Sequence, residues 1–149
     1  MRNRSFDNPE QWDETVDHRN TARMKEIIDE IGWPSISKLS PEGASNAWLL
    51  VQHADHDLEF QKKCLALMKV EPEGEVSKRD IAYLEDRIAI SDERPQIYGT
   101  QFHKNSDGQL EPLPIADPEN VGKRRKEMGL ETLSENQKRI QERHGRKST

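Results

Sequence analysis

Apolar residues recur at helical intervals along most of this chain, and polar breaks separate the runs. Between Asp13 and Ile31, the residues Val16, Met24, Ile27, Ile28 and Ile31 fall on one face, which predicts an amphipathic helix. Asp17 and Asn20 lie on or beside that face. Gly32 suits the position just past a helix and Pro34 blocks continuation, so Trp33 is expected to pack back on the helix end. Ser40-Pro41 reads as an N-cap followed by the first helical residue. The helix it opens carries Ala47-Trp48-Leu49-Leu50-Val51, the most apolar run in the chain, and leads into Gln52-His53-Ala54-Asp55-His56-Asp57.

That end has two readings. In one, the helix continues to Met68, with Ala47, Leu50, Val51, Ala54, Leu58, Gln61, Leu65 and Met68 as a core stripe. His53 and Asp57 then flank the stripe, and Asp55 and His56 face solvent. In the other, the helix breaks at His56, Asp57 caps a new helix from Leu58 to Met68, and His53 and Asp55 face the junction. We adopt the break.

Pro72 and Gly74 mark a loop, and Ser77-Lys78-Arg79-Asp80 resembles a capping box for a helix from Lys78 to about Ile90 that buries Ile81, Leu84 and Ile88. Arg94 to His103 alternates β-branched and aromatic residues, Asn105-Ser106-Asp107-Gly108 is a turn signal, and Leu110 to Ile115 reads as the return strand. Pro112 and Pro114 restrict that strand to an edge. Asp117-Pro118 reads as an N-cap with proline behind it, opening a short helix that runs to Met128 and stops at Gly129. Ser134 is the expected cap of a last, polar helix ending near His144, with Ile140 as its one clear apolar member and hence weak packing.

The expected fold is therefore mainly α (α+β): a single domain of four or five helices with one β-hairpin packed against them. Residues 1–12 are expected as a flexible arm, 13–133 as the domain with the hairpin near 94–115, and 134–149 as a polar basic tail or frayed helix.

Composition narrows the function classes. Charged residues make up 34% of the 149, against ~25% in an ordinary globular chain. The core is accordingly expected to be small with solvated ends. A net charge of −5 argues against nucleic-acid binding, which needs a basic surface. The single cysteine, Cys64, excludes an intrachain disulfide framework and is expected to be a buried structural thiol. No apolar run is long enough to span a bilayer and no secretory h-region follows Met1, so a cytoplasmic protein is expected.

Five segments in order carry a resemblance. They are Gly32-Trp33-Pro34; Gln52-His53-Ala54-Asp55; Asp86-Arg87; Gln96-Ile97-Tyr98-Gly99-Thr100-Gln101; and Asp117-Pro118 with Arg124-Arg125 and Gly129-Leu130. The set resembles the bacterial domain-of-unknown-function family 6624 over roughly Asp17 to Leu133. The resemblance implies no reaction. Family members often carry proline after the position of Asp57, and that resemblance favours the broken helix; this chain has Leu58 there, which leaves the continuous helix open.

The candidate chemistry centres on His53. An imidazole can exchange a proton near neutral pH, and Asp55 can orient it. Arg87 would hold an anionic group in bidentate fashion. Gln52, Asp86, Gln96, Tyr98, Gln101, Asp17, Asn20 and Arg125 are the expected substrate-positioning residues. Arg94 and Arg124 are further anion-binding candidates. His53 and Asp57, four apart, are the weak candidates for a metal site, with His56 or His103 added. A catalytic metal needs about three protein ligands, so no cofactor is expected. The best reading is a small-molecule enzyme of hydrolase or proton-transfer type with an anionic ligand. The alternatives are a non-catalytic binding or interaction module using the same pocket, and a buried polar network with a purely structural role.

Overall fold

A computed structural model describes residues 14–147 of the chain. The arm expected over residues 1–12 lies outside the described residues. Six helices and one hairpin follow one another: α1 (Glu14–Ile31), α2 (Pro41–Gln52), α3 (Leu58–Lys69), α4 (Lys78–Ser91), β1 (Phe102–Lys104), β2 (Leu110–Pro112), α5 (Val121–Glu127) and α6 (Leu133–Lys147). The mainly helical α+β expectation holds, with one helix beyond the higher expected count.

The core joins α1 to α4. Met24 and Ile28 of α1, Ala47 and Val51 of α2, Phe60, Cys64 and Met68 of α3, and Leu84 and Ile88 of α4 form one buried cluster with Trp33 and Ala54. The expected break is present, but it starts earlier than His56: α2 already ends at Gln52. His53 is the C-cap of α2 and Asp57 the N-cap of α3, its carboxylate accepting from the Phe60 N–H at 3.1 Å. Breaking the helix rotates α3, so Phe60 and Cys64 enter the core along with Gln61 and Met68. Gln61 has a second task there. Its Nε2 donates to the carbonyls of Gln52 (3.4 Å) and Val51 (3.1 Å), the latter also accepting from the Ala54 N–H, so a side chain of α3 adds donors to the carbonyl end of α2.

The second half differs from its expectation in three places. Residues 94–101 do not form a strand; only Gln96 bridges to Ile115, and regular pairing is limited to Phe102–Lys104 against Leu110–Pro112. Asp117 does not cap its helix. It sits in left-handed conformation (φ 42°) with no side-chain capping bond, and Pro118 opens a single 3-10 turn before α5. Nor is Ser134 a cap: Thr132 receives the Glu135 N–H on its hydroxyl while the Glu135 carboxylate receives the Thr132 N–H, so α6 begins earlier than expected, at Leu133.

Helix α6 also does more than pack weakly. Gln141 accepts from the Leu110 N–H at 2.8 Å and Gln137 donates to the Leu110 carbonyl at 3.0 Å. Two glutamine amides thus stand in for a third strand beside β2 and cover its edge.

Candidate functional site

The sequence-derived site residues fall into three places. The first is the α2–α3 junction. Arg87 of α4 meets Asp55 with both arms of its guanidinium, Nε to Oδ1 at 2.9 Å and Nη2 to Oδ2 at 2.6 Å. Gln61 Nε2 adds a third donor to Asp55 Oδ1 at 3.2 Å. Partial burial alone would raise the Asp55 pKa, but the bonds and charge of Arg87 outweigh it and hold the carboxyl below its ordinary range. His53 is half-buried at the α2 end, close enough for its charge to act on Asp55. The junction therefore brings His53, Asp55 and Arg87 together. It does so as a closed fork-to-carboxylate pair, in which the charge of Arg87 is already neutralised.

Asp57, the other metal candidate, holds Lys25 of α1 at 2.7 Å besides capping α3. No group of three metal-ligating side chains forms among the described residues. His56 stacks on His18 of α1, with ring centroids 3.8 Å apart, a contact that sequence spacing does not reveal.

The second place is a clamp around residues 96–101. Asp86 is fully buried on α4 and accepts from the N–H groups of Ile97 (2.7 Å), Tyr98 (2.9 Å) and Thr100 (2.9 Å) and from the Thr100 hydroxyl (2.8 Å). Arg125 of α5, 1% exposed, takes the other side of the same loop: Nη1 donates to the carbonyls of Tyr98 (2.8 Å) and Gly99 (3.4 Å), and Nε to that of Glu131 (2.7 Å). One peptide segment is thus held between a buried carboxylate that takes its donors and a buried guanidinium that takes its acceptors. Gln96 closes the loop on itself, accepting from the Gln101 N–H and donating to the carbonyls of Gln101 and Leu113. Gln101 bonds onward to the Thr100 hydroxyl. Arg124 binds the carbonyls of Ile97, Ala116 and Asp117. Gly99 is required at φ 72°, where a Cβ would also meet Ile115 and Leu133 side chains at 3.1 Å.

This clamp accounts for Asp86, Gln96, Gln101 and Arg125 by structural bonds. Tyr98 is half-buried beside Glu85, and desolvation, followed by the charges of Glu85 and Asp86, pushes its hydroxyl up to about 12. Asp17 and Asn20 are half-buried on α1. Gln52 is buried, with its Oε1 unpartnered among the described residues. Arg94 pairs locally with Asp92 at 3.1 Å. Cys64 is buried, and desolvation pushes its thiol up to about 12, as suits a structural residue.

The third place is a cleft of about 550 Å³ between α2, α4 and the loops before them. It contains none of the site residues singled out from the sequence. Its aromatic lining comes from Trp33 after α1, Trp48 of α2 and Tyr83 of α4, the last two meeting edge-to-face at 6.3 Å. Ser37 ties the loop before α2 to Glu75 through its N–H (2.8 Å) and its hydroxyl, which fixes one end of the cleft. Arg79 lies over the Tyr83 ring at 5.4 Å.

Asp80 also lines the cleft. Its N–H donates to the Ser77 hydroxyl at 3.4 Å, one half of the expected capping box. The other half is missing: among the described residues no hydrogen bond or ion pair reaches its carboxyl. Desolvation raises that carboxyl to about 6, against a smaller lowering by Arg79. The Trp48 indole N–H is likewise buried without a partner among the described residues. The sequence signal for this cleft was thin. Three aromatic residues lie 15 and 35 positions apart, and Asp80 reads as an ordinary capping residue.

No helix among the described residues is long and apolar enough to cross a membrane. No curated protein and no solved structure matched the chain. The sequence model of DUF6624, a family of unknown function, matches residues 5–149, and the chain belongs to that family.

Proposed function

We propose that this protein binds a small organic molecule in the cleft between α2 and α4, and that the cleft rather than the His53–Asp55–Arg87 junction is its working site. One observation carries the reading. An aromatic cleft of ligand size holds a half-buried carboxyl, Asp80, with no hydrogen-bond or ion-pair partner among the described residues. Pockets with apolar walls and a few convergent, perturbed polar groups are where ligands bind. The junction lacks that quality, because Arg87 and Gln61 already satisfy Asp55.

Turnover is the second reading, and Asp80 favours it. A carboxyl near 6 gives and takes protons at neutral pH, so Asp80 would replace His53 as the acid–base group of a hydrolytic or proton-transfer reaction. No cofactor enters either reading.

The test is a fragment panel of neutral, cationic and anionic members followed by NMR on the full chain. Binders are expected to shift the Trp48 indole N–H resonance and to lose affinity when Ala44, in the cleft lining, is changed to Phe. Binders that instead perturb His53 and Arg87 while leaving Trp48 unmoved would return the site to the junction.

A further inference from the structure

The cleft has a charge preference as well as a shape. Its charged lining residues are Glu75 from the α3–α4 loop and Arg79 and Asp80 from α4; the α2 side contributes Ala44, Ser45 and Trp48, which carry no charge. Glu75 is bound by Ser37 and is held below its ordinary range by those bonds. Arg79 is exposed and lies on Tyr83. That leaves Asp80 as the charged group in the lining with neither a bond nor an ion pair among the described residues. A desolvated carboxylate with no partner is a costly arrangement, and a cation relieves it. Indole and phenol faces attract the same kind of group. At long range the chain's net charge of −5 draws cations rather than anions.

Resting on the reading above, we propose that the ligand of this cleft is an organic cation, an amine carried on an apolar or aromatic body, whose ammonium pairs with Asp80 and whose body packs against Trp48 and Tyr83. This reverses the anionic ligand expected from the arginine content. Those arginines lie elsewhere: Arg124 and Arg125 on backbone carbonyls, Arg87 on Asp55 and Arg94 on Asp92.

Linkage follows from the same geometry. Cation binding favours ionised Asp80, so affinity falls as pH drops through about 6 and the group takes up a proton. Arg79 is the resident competitor, and removing its charge strengthens binding.

A matched series tests the proposal: benzylamine, benzyl alcohol and benzoate share one ring and differ in charge. Each is titrated into the full chain at pH 7.5 and pH 5, with the Trp48 indole N–H as the readout. Benzylamine is expected to bind at least about tenfold more tightly than either companion at pH 7.5, the factor that a charge-assisted contact supplies. That advantage is expected to shrink at pH 5 and in Asp80→Asn, and to grow in Arg79→Ala. Benzyl alcohol or benzoate binding in the cleft as tightly as benzylamine overturns the cation while leaving the cleft reading intact. A benzylamine advantage that persists unchanged in Asp80→Asn overturns it as well, as does no shift with any of the three.

Discussion

Two polar regions of this protein are built on the same helix and behave oppositely. Asp86 and Asp80 are both carboxylates of α4, six residues apart. Asp86 is buried completely and meets four donors, so its charge is fully supported. Asp80 is less buried and meets none among the described residues, and desolvation raises its carboxyl to about 6. Depth of burial therefore does not show which carboxylate the fold has already satisfied. Unused hydrogen-bonding capacity does. The clamp around residues 96–101 is closed, with Gln96, Arg124 and Arg125 bonded to backbone and Gln101 to the Thr100 hydroxyl. The cleft is open, with the Asp80 carboxyl and the Trp48 indole N–H unmatched among the described residues.

The largest way to break that contrast is Asp86→Asn. An amide cannot accept four bonds, so buried N–H groups of the 97–100 segment lose their partner and its own N–H₂ faces donors. Urea unfolding is expected to show a loss of about 3 kcal/mol or more. Arg125→Met comes next. It leaves the carbonyls of Tyr98, Gly99 and Glu131 unpaired, for an expected loss of about 2–3 kcal/mol in the same assay.

Asp80→Asn should move the other way. Because its folded-state pKa is raised, wild-type stability from this group is fully present below about pH 4 and is lost as pH rises through about 6. The substitution is therefore expected to stabilise the protein at pH 8, by about 1–2 kcal/mol once discounted for solvent screening of this part-exposed group, with the gain gone at pH 4. The smallest effect belongs to the junction. Asp55 is half exposed, so Asp55→Asn is expected to cost about 1 kcal/mol or less, and added salt should reduce the cost further.

Local chemistry was legible in the sequence and distant chemistry was not. The caps at Ser40, Asp57 and Ser77, and a break between α2 and α3, follow from residues within four positions of one another; that α2 stops already at Gln52 does not. Gln61 was visible only as the polar member of an otherwise apolar stripe; that it reaches back to the α2 carbonyls depends on α3 folding against α2. Thr132-Leu133-Ser134-Glu135 and Ser134-Glu135-Asn136-Gln137 both match a capping box, and sequence alone does not break that tie. Glu131 does: Arg139 and Asn136 bond to its carboxylate, which draws the start of α6 toward Thr132. Arg125 read as a substrate-positioning cation because its acceptors are carbonyls 26 and 27 residues away. Asp86, Gln96 and Gln101 looked like ligand groups for the same reason: a polar side chain shows its chemistry in the sequence but not whether the fold already satisfies it.

The most direct test sets the two α4 carboxylates side by side. Asp86→Asn and Asp80→Asn are melted with the wild type at pH 8. The expected result is opposite signs, a large fall in Tm for Asp86→Asn and a rise for Asp80→Asn. A wild-type Tm for Asp86→Asn, or a fall for Asp80→Asn, would contradict the division between a closed clamp and an open cleft.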